Sequence, residues 1–94
     1  MVVVACLEIT LGVSWSQSLK DKRMVVRSLT SKVRNKFNVS IHEVDALDHR
    51  QQIVLAITTA SNSKPKIQSV FEHIVNFIES GYDVSVDDVQ VEFF

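Results

Sequence analysis

Only two glycines, one proline and one cysteine interrupt the 94 residues of this chain. Gly12 and Gly81 stand alone, which excludes a Gly-rich phosphate loop and the Gly-x-Ser-x-Gly turn that exposes a nucleophilic serine. A single cysteine, Cys6, cannot close an intramolecular disulfide and has no CxxC partner; it fits a reducing compartment, and a cytoplasmic protein is expected. Met1 to Leu7 is apolar but lacks a basic leader, is too short to span a bilayer and runs into Glu8 and Thr10. It therefore reads as a buried strand, with no membrane partner. Repeats and low-complexity stretches are also missing. With 46% apolar residues the chain can fill one core and has no room for two, so residues 1–94 are expected to form a single domain.

What is present alternates. Ala5, Leu7, Ile9 and Leu11 point one way from a first strand, Val4, Cys6, Glu8 and Thr10 the other. Ser18 followed by Asp21 is a capping signal that opens a helix at Leu19. Leu19, Val26, Leu29, Val33 and Phe37 then fall within about 80° of one another on a helical wheel, and the helix ends near Phe37 and Asn38. Val39 and Ile41 begin a second strand, Asp45 to Gln52 forms a charged hairpin tip, and Ile53, Leu55 and Ile57 mark a third strand. Pro65 suits the first turn of a second helix that carries Ile67, Val70, Phe71, Ile74, Phe77 and Ile78 and stops at Gly81. Val89, Val91 and Phe93 form the last strand. Val84 and Val86 have the opposite parity, which predicts a bulge near Asp87 and Asp88.

One apolar face per helix and one face of large residues per strand imply two helices on one side of one sheet. Right-handed crossovers then give an α+β, ferredoxin-like βαββαβ domain with a four-stranded antiparallel sheet. Strands one and three are expected at its centre, running parallel to each other. The uncovered face would carry Val2, Val4, Cys6, Val54 and Ala56. Such a patch predicts a homodimer packed sheet to sheet through Val4, Cys6, Val54 and Ala56; the alternative is that these small groups are tolerated singly in water.

Charge is unevenly placed. The net charge is −1, yet Lys20, Lys22, Arg23, Arg27, Lys32, Arg34 and Lys36 place seven of ten basic residues on the first helix, against Asp21 alone. Glu72 to Glu92 holds six acids and no Lys or Arg. On the wheel Lys20, Arg23, Arg27 and Arg34 lie within about 60° on one flank of the apolar stripe, with Lys22, Lys32 and Lys36 on the other. Three arginines on one edge can serve as a rail for phosphates, because guanidinium forks bind phosphate oxygens bidentately and displace counterions. The competing reading is a solvated face whose charges pair with the acidic C-terminal region. Base stacking on the sheet is excluded: strand three, Gln51-Gln-Ile-Val-Leu-Ala-Ile-Thr58, carries none of the aromatics an RNA recognition motif needs.

At Ser18-Leu-Lys-Asp-Lys-Arg23, Phe37-Asn-Val-Ser-Ile41 and Glu43-Val-Asp45, the chain resembles the YlxP-like family of small bacterial proteins of unknown function, and the likeness runs from Val2 to Phe94. The resemblance implies the ferredoxin-like fold and an uncharacterised role. It also implies proximity to translation, since genes of the family often lie beside those for translation initiation and ribosome-maturation factors. The hairpin tip Leu47-Asp-His-Arg50 departs from relatives that carry a tryptophan there.

His42, Glu43, Asp45, Asp48 and His49 are metal-ligating types crowded at the hairpin, but their spacing matches no established ligand set, so neither metal nor cofactor is expected. Ser14, Ser16 and Ser18 surround Trp15 with no base supplied by the sequence; Ser18 is explained as a cap and Trp15 as a lid over the core or part of an interface. The leading expectation is a non-catalytic module, not an enzyme, that contacts structured RNA or a ribosomal particle through Lys20, Arg23, Arg27 and Arg34. A dimeric regulatory module with a ligand pocket near Gly12 to Ser16 is the alternative, and a metal-dependent enzyme or sensor at the hairpin the third.

Overall fold

Strand β1 (Val3–Gly12) takes its shape from alternation: Val3, Ala5, Leu7, Ile9 and Leu11 are buried while the residues between them are exposed or half-buried. The computed structural model describes residues 1–94 and continues with α1 (Leu19–Lys36), β2 (Ser40–Asp45), β3 (Gln52–Ser61), α2 (Lys64–Gly81) and β4 (Ser85–Phe93). The sheet order is β2-β3-β1-β4, the ferredoxin-like βαββαβ arrangement with four antiparallel strands. Strands β1 and β3 are central, but they run antiparallel, Leu7 opposite Ile57, and not parallel as expected. The reason is topological. The crossover through α1 makes β2 parallel to β1, and β3 returns from β2 by a hairpin into the gap between them.

Sixteen buried apolar residues form one core between the sheet and the helices. Helix α1 packs on β2 and β3, whereas α2 packs on β3 and β1. The helices contribute unequally: α2 buries Ile67, Phe71, Ile74 and Ile78, while α1 buries Leu29 and Val33 and one residue that is not apolar, Lys22. The register between β1 and β4 shifts between Thr10 and Leu11, leaving Asp87 unpaired. That bulge switches parity and lets Val84 and Val86 reach the core alongside Phe93. Helix α2 does end at Gly81, yet no glycine has a positive φ, so the stop does not use the left-handed conformation.

The entry to α1 is closed as the capping signal implies. Ser18 is extended, its Oγ accepts from the Asp21 amide at 3.1 Å, and Asp21 Oδ2 accepts from the Gln17 amide at 3.0 Å. The N-terminal half of α1 carries Lys20, Arg23 and Arg27, so this cap orders the helix turn on which Lys20 and Arg23 stand. Replacing the hydroxyl leaves an amide donor without its partner. Ser18→Ala should lower stability by about 1 kcal/mol, read as a lower urea midpoint with an unchanged slope.

Candidate nucleic-acid interface

The seven basic residues of α1 fall into three environments. Lys20, Arg23, Arg27 and Arg34 are exposed, and none lies within ion-pair distance of a carboxylate, because the molecule's one salt bridge is Lys22 to Glu43. Arg34 is partly committed: its Nη2 donates to the Ile41 carbonyl at 3.3 Å on the outer edge of β2. That bond turns the flank holding Arg34 toward the β2 edge of the sheet. Lys32 and Lys36 lie on the opposite flank, above aromatic rings. Lys32 Nζ is 5.6 Å from the centre of Tyr82, and Lys36 Nζ is 4.8 Å from that of Phe77. These two lysines cover the seam between the helices.

Lys22 is the departure from expectation. Placed by sequence on a solvated flank, it is fully buried. Its Nζ donates to the carbonyls of Ala46 at 2.8 Å and Leu47 at 3.0 Å, and lies 2.9 Å from Glu43 Oε2. The carboxylate oxygen sits off the hydrogen-bonding direction and has no other partner, so the contact is coulombic. Burying an ammonium requires this much compensation. The wheel contains the signal: at 100° per residue Lys22 falls between Leu29 and Val33, in the middle of the stripe. Glu43 shares parity with buried Ile41, and a bulge at Val44 follows it. Two stretches that carry the family resemblance, one holding Lys22 and one holding Glu43, thus meet in space.

This contact fixes the hairpin tip against α1. Ala46 adopts φ 54°, a left-handed conformation costly for a residue with a Cβ. Its amide donates to Asp45 Oδ1 at 2.7 Å, and its carbonyl accepts from both the His49 amide and Lys22. The tip so held borders a cleft of about 540 Å³ lined by Leu19, Asp48, His49, Arg50 and Gln51. Arg50, exposed at that tip, therefore lines the same cleft as Leu19 in the first turn of α1. Sequence reasoning misses it because it lies 27 residues beyond Arg23 in the chain.

The remaining candidates separate. His42 and Glu43 point to opposite faces of β2, His49 Nδ1 accepts from the Gln51 amide at 3.1 Å, and no three His, Cys, Asp or Glu side chains converge anywhere. The Gly12 to Ser16 loop is closed by its own packing. Ser16 is buried with its Oγ donating to the Ser18 carbonyl, and Gln51 Nε2 donates to the carbonyls of Ser14 and Ser16, both at 3.1 Å. A Cβ on Gly12 would meet the side chains of Ser85 and Asp87. Trp15 stands at the molecular surface as a strap, its Nε1 donating to the Asp83 carbonyl at 2.7 Å.

On the open sheet face, Val54 is 7% exposed within a single chain, and Val4 is 39% exposed. Cys6 and Ala56 are half-buried, with Glu8 opposite Ala56 in the register. Val54 is thus covered by its neighbours, and the apolar side chains this face exposes are Val2 and Val4, with Phe94 beside Val4. Burial pushes the Cys6 thiol above its ordinary value, Glu8 pushes the same way, and Glu92 adds to it against an opposing backbone hydrogen bond at Ile57.

Comparison with known proteins adds a family and a fold. The family described as "Protein of unknown function (DUF503)" matches residues 4–91. The "Uncharacterized protein YlxP" of Bacillus subtilis (strain 168) is 32% identical over 77 residues, covering 82% of this chain and 84% of that one. Among solved structures, a de novo designed protein with ferredoxin fold superposes with a TM-score of 0.58 at 14% identity over 97% of this chain and 82% of its own. The designed protein Foldit4 does so with a TM-score of 0.54 at 18% identity over 100% and 97%. No helix is long and apolar enough to cross a membrane.

Two outcomes follow for these residues. Lys22→Met strands Glu43 and two carbonyls and should cost roughly 2–4 kcal/mol, below the figure for a fully buried pair because solvent still screens Glu43; adding Glu43→Leu should recover part of that. An unchanged urea midpoint in Lys22→Met would show that the pair stabilises nothing. Cys6, with its thiol held protonated at neutral pH, should be alkylated more slowly than an unhindered thiol. Because Glu8 raises its pKa, Glu8→Gln should speed the reaction by increasing the thiolate fraction.

Proposed function

The chain belongs to the DUF503 family of proteins of unknown function, and from that premise we propose that it is a non-catalytic, cytoplasmic binding module that contacts structured RNA or a ribosomal particle through α1. The observation that carries this reading is the exposed row Lys20, Arg23 and Arg27, with Arg34 beyond it, which has no carboxylate within ion-pair distance. A solvated face that served stability alone would be expected to pair some of these charges with the eleven acids of the chain. Unpaired guanidinium groups instead keep their donors available to phosphate oxygens.

The geometry favours recognition of backbone and shape. The row lies along a helix flank, and the hairpin tip that Lys22 anchors adds a further exposed cation, Arg50, beside Leu19 of the same helix. Neither central strand, β1 or β3, carries an aromatic ring, so a base-stacking platform in the middle of the sheet is not part of the reading. Binding of this kind is weak, tolerant of sequence and strongly dependent on salt. It requires one chain only. Sheet-to-sheet dimerisation through Val4, Cys6, Val54 and Ala56 draws little support from a face on which Val54 is closed.

Lys20, Arg23 and Arg27 changed together to Gln should leave the thermal transition in place, since all three side chains are exposed. Affinity for ribosomal RNA should fall to a similar degree for different sequences, and the salt slope should flatten by roughly one log unit per log unit for each phosphate that is no longer neutralised. Fluorescence anisotropy across a salt series measures both. An unaltered affinity in the triple variant, or no binding by the wild type at low salt, overturns the reading.

A further inference from the structure

The two edges of the sheet are treated differently. β2 is six residues long, interrupted by the bulge at Val44, and its outward Ile41 carbonyl is taken by Arg34. β4 is nine residues long and packs squarely under neither helix. The Phe94 amide donates to the Val4 carbonyl at 2.8 Å, and the register pairs Cys6 with Glu92 and Glu8 with Gln90. Alternation along an antiparallel pair then directs the backbone groups of Val89, Val91 and Phe93 away from β1, to the free edge. The side chains of those same residues point to the helix side, where with Phe71 and Val75 they line a groove of about 680 Å³ between β4 and α2. Val89 and Val91 are 43% and 46% exposed. An unpaired strand edge beside a groove whose lining is mostly apolar, with Gln68, Glu72 and Asn76 among it, is the geometry that accepts an added strand.

Charge selects the occupant. The intervening β4 residues on the other face are Asp88, Gln90 and Glu92, with Glu8 beside Gln90. Glu72 stands at the groove's rim, and Lys64 lies over Phe93 at one end. A residue opposite Val89, Val91 or Phe93 would face the groove, and one opposite Asp88 or Glu92 would face an acid. A second copy pairing through β4 would run Asp87, Asp88 and Glu92 of both chains along one seam, which like-charge repulsion disfavours. We infer that β4 and the β4–α2 groove dock an extended segment of another protein in which apolar residues alternate with Lys or Arg. This surface is separate from α1, so it stands or falls independently of RNA binding.

The test is titration of the isotopically labelled chain with a peptide as long as β4, nine residues, alternating lysine and valine. Saturable binding is expected, with the largest amide shifts and slowed hydrogen exchange at Val89, Val91 and Phe93. Val91→Lys should weaken binding at least about tenfold by placing a charge in the groove. Asp88→Lys with Glu92→Lys, both at exposed positions, should reverse the preference toward a peptide alternating glutamate and valine. Equal binding of a peptide of the same composition with its lysines grouped in one block would overturn the inference, as would shifts confined to α1 or no saturation at millimolar peptide. Concentration-dependent dimerisation in sedimentation that Val91→Lys abolishes would also overturn it, by making a second copy the occupant.

Discussion

A buried ammonium pins helix α1 to the hairpin tip. Helix α1 has little apolar surface to bury, with Leu29 and Val33 its only fully covered hydrophobic residues, and its solvent side is crowded with like charge. Self-repulsion along such a helix favours detachment. Lys22 opposes this by sending one cation inward, where two carbonyls and a carboxylate receive it. The same group ties down Ala46 in its left-handed conformation. The helix and the hairpin tip, which carries Arg50, are therefore joined through one nitrogen.

The strand order turns an uneven charge sequence into two separate surfaces. In β2-β3-β1-β4, α1 lies over the β2 side and the acids of β4 occupy the far edge. Three interstrand spacings of about 4.8 Å separate those edges by roughly 14 Å, more than the screening length of about 8 Å at physiological salt. The acids accordingly do little to cancel the field at α1, and a net charge of −1 misrepresents what either edge presents to a partner. The ferredoxin-like scaffold itself is shared with designed proteins of low identity, so it carries no functional information.

Local rules make most of the fold legible: the alternation in β1, the Ser18 cap, the bulge at Asp87 and the helical stripes all act over a few residues, and each is where the sequence places it. What escapes a local reading is tertiary geometry. The direction of β3 relative to β1 follows from the hairpin, not from any residue in either strand. Val54 has the parity of an open-face residue, yet its neighbours close over it. Lys22 is misplaced when its charge is weighed above its position in the middle of the stripe, and its carbonyl partners lie 24 and 25 residues away. Arg50 comes beside Leu19 through a turn whose shape no short motif announces.

Lys22 also divides the lysines of the chain by chemical accessibility. Of six, at positions 20, 22, 32, 36, 64 and 66, five stand exposed and Lys22 alone has no surface. An amine-directed reagent can reach that nitrogen only after α1 separates from the hairpin tip. The slow fraction of lysine acylation is then a direct measure of how often that separation occurs, in a population that by every bulk spectroscopic criterion is folded.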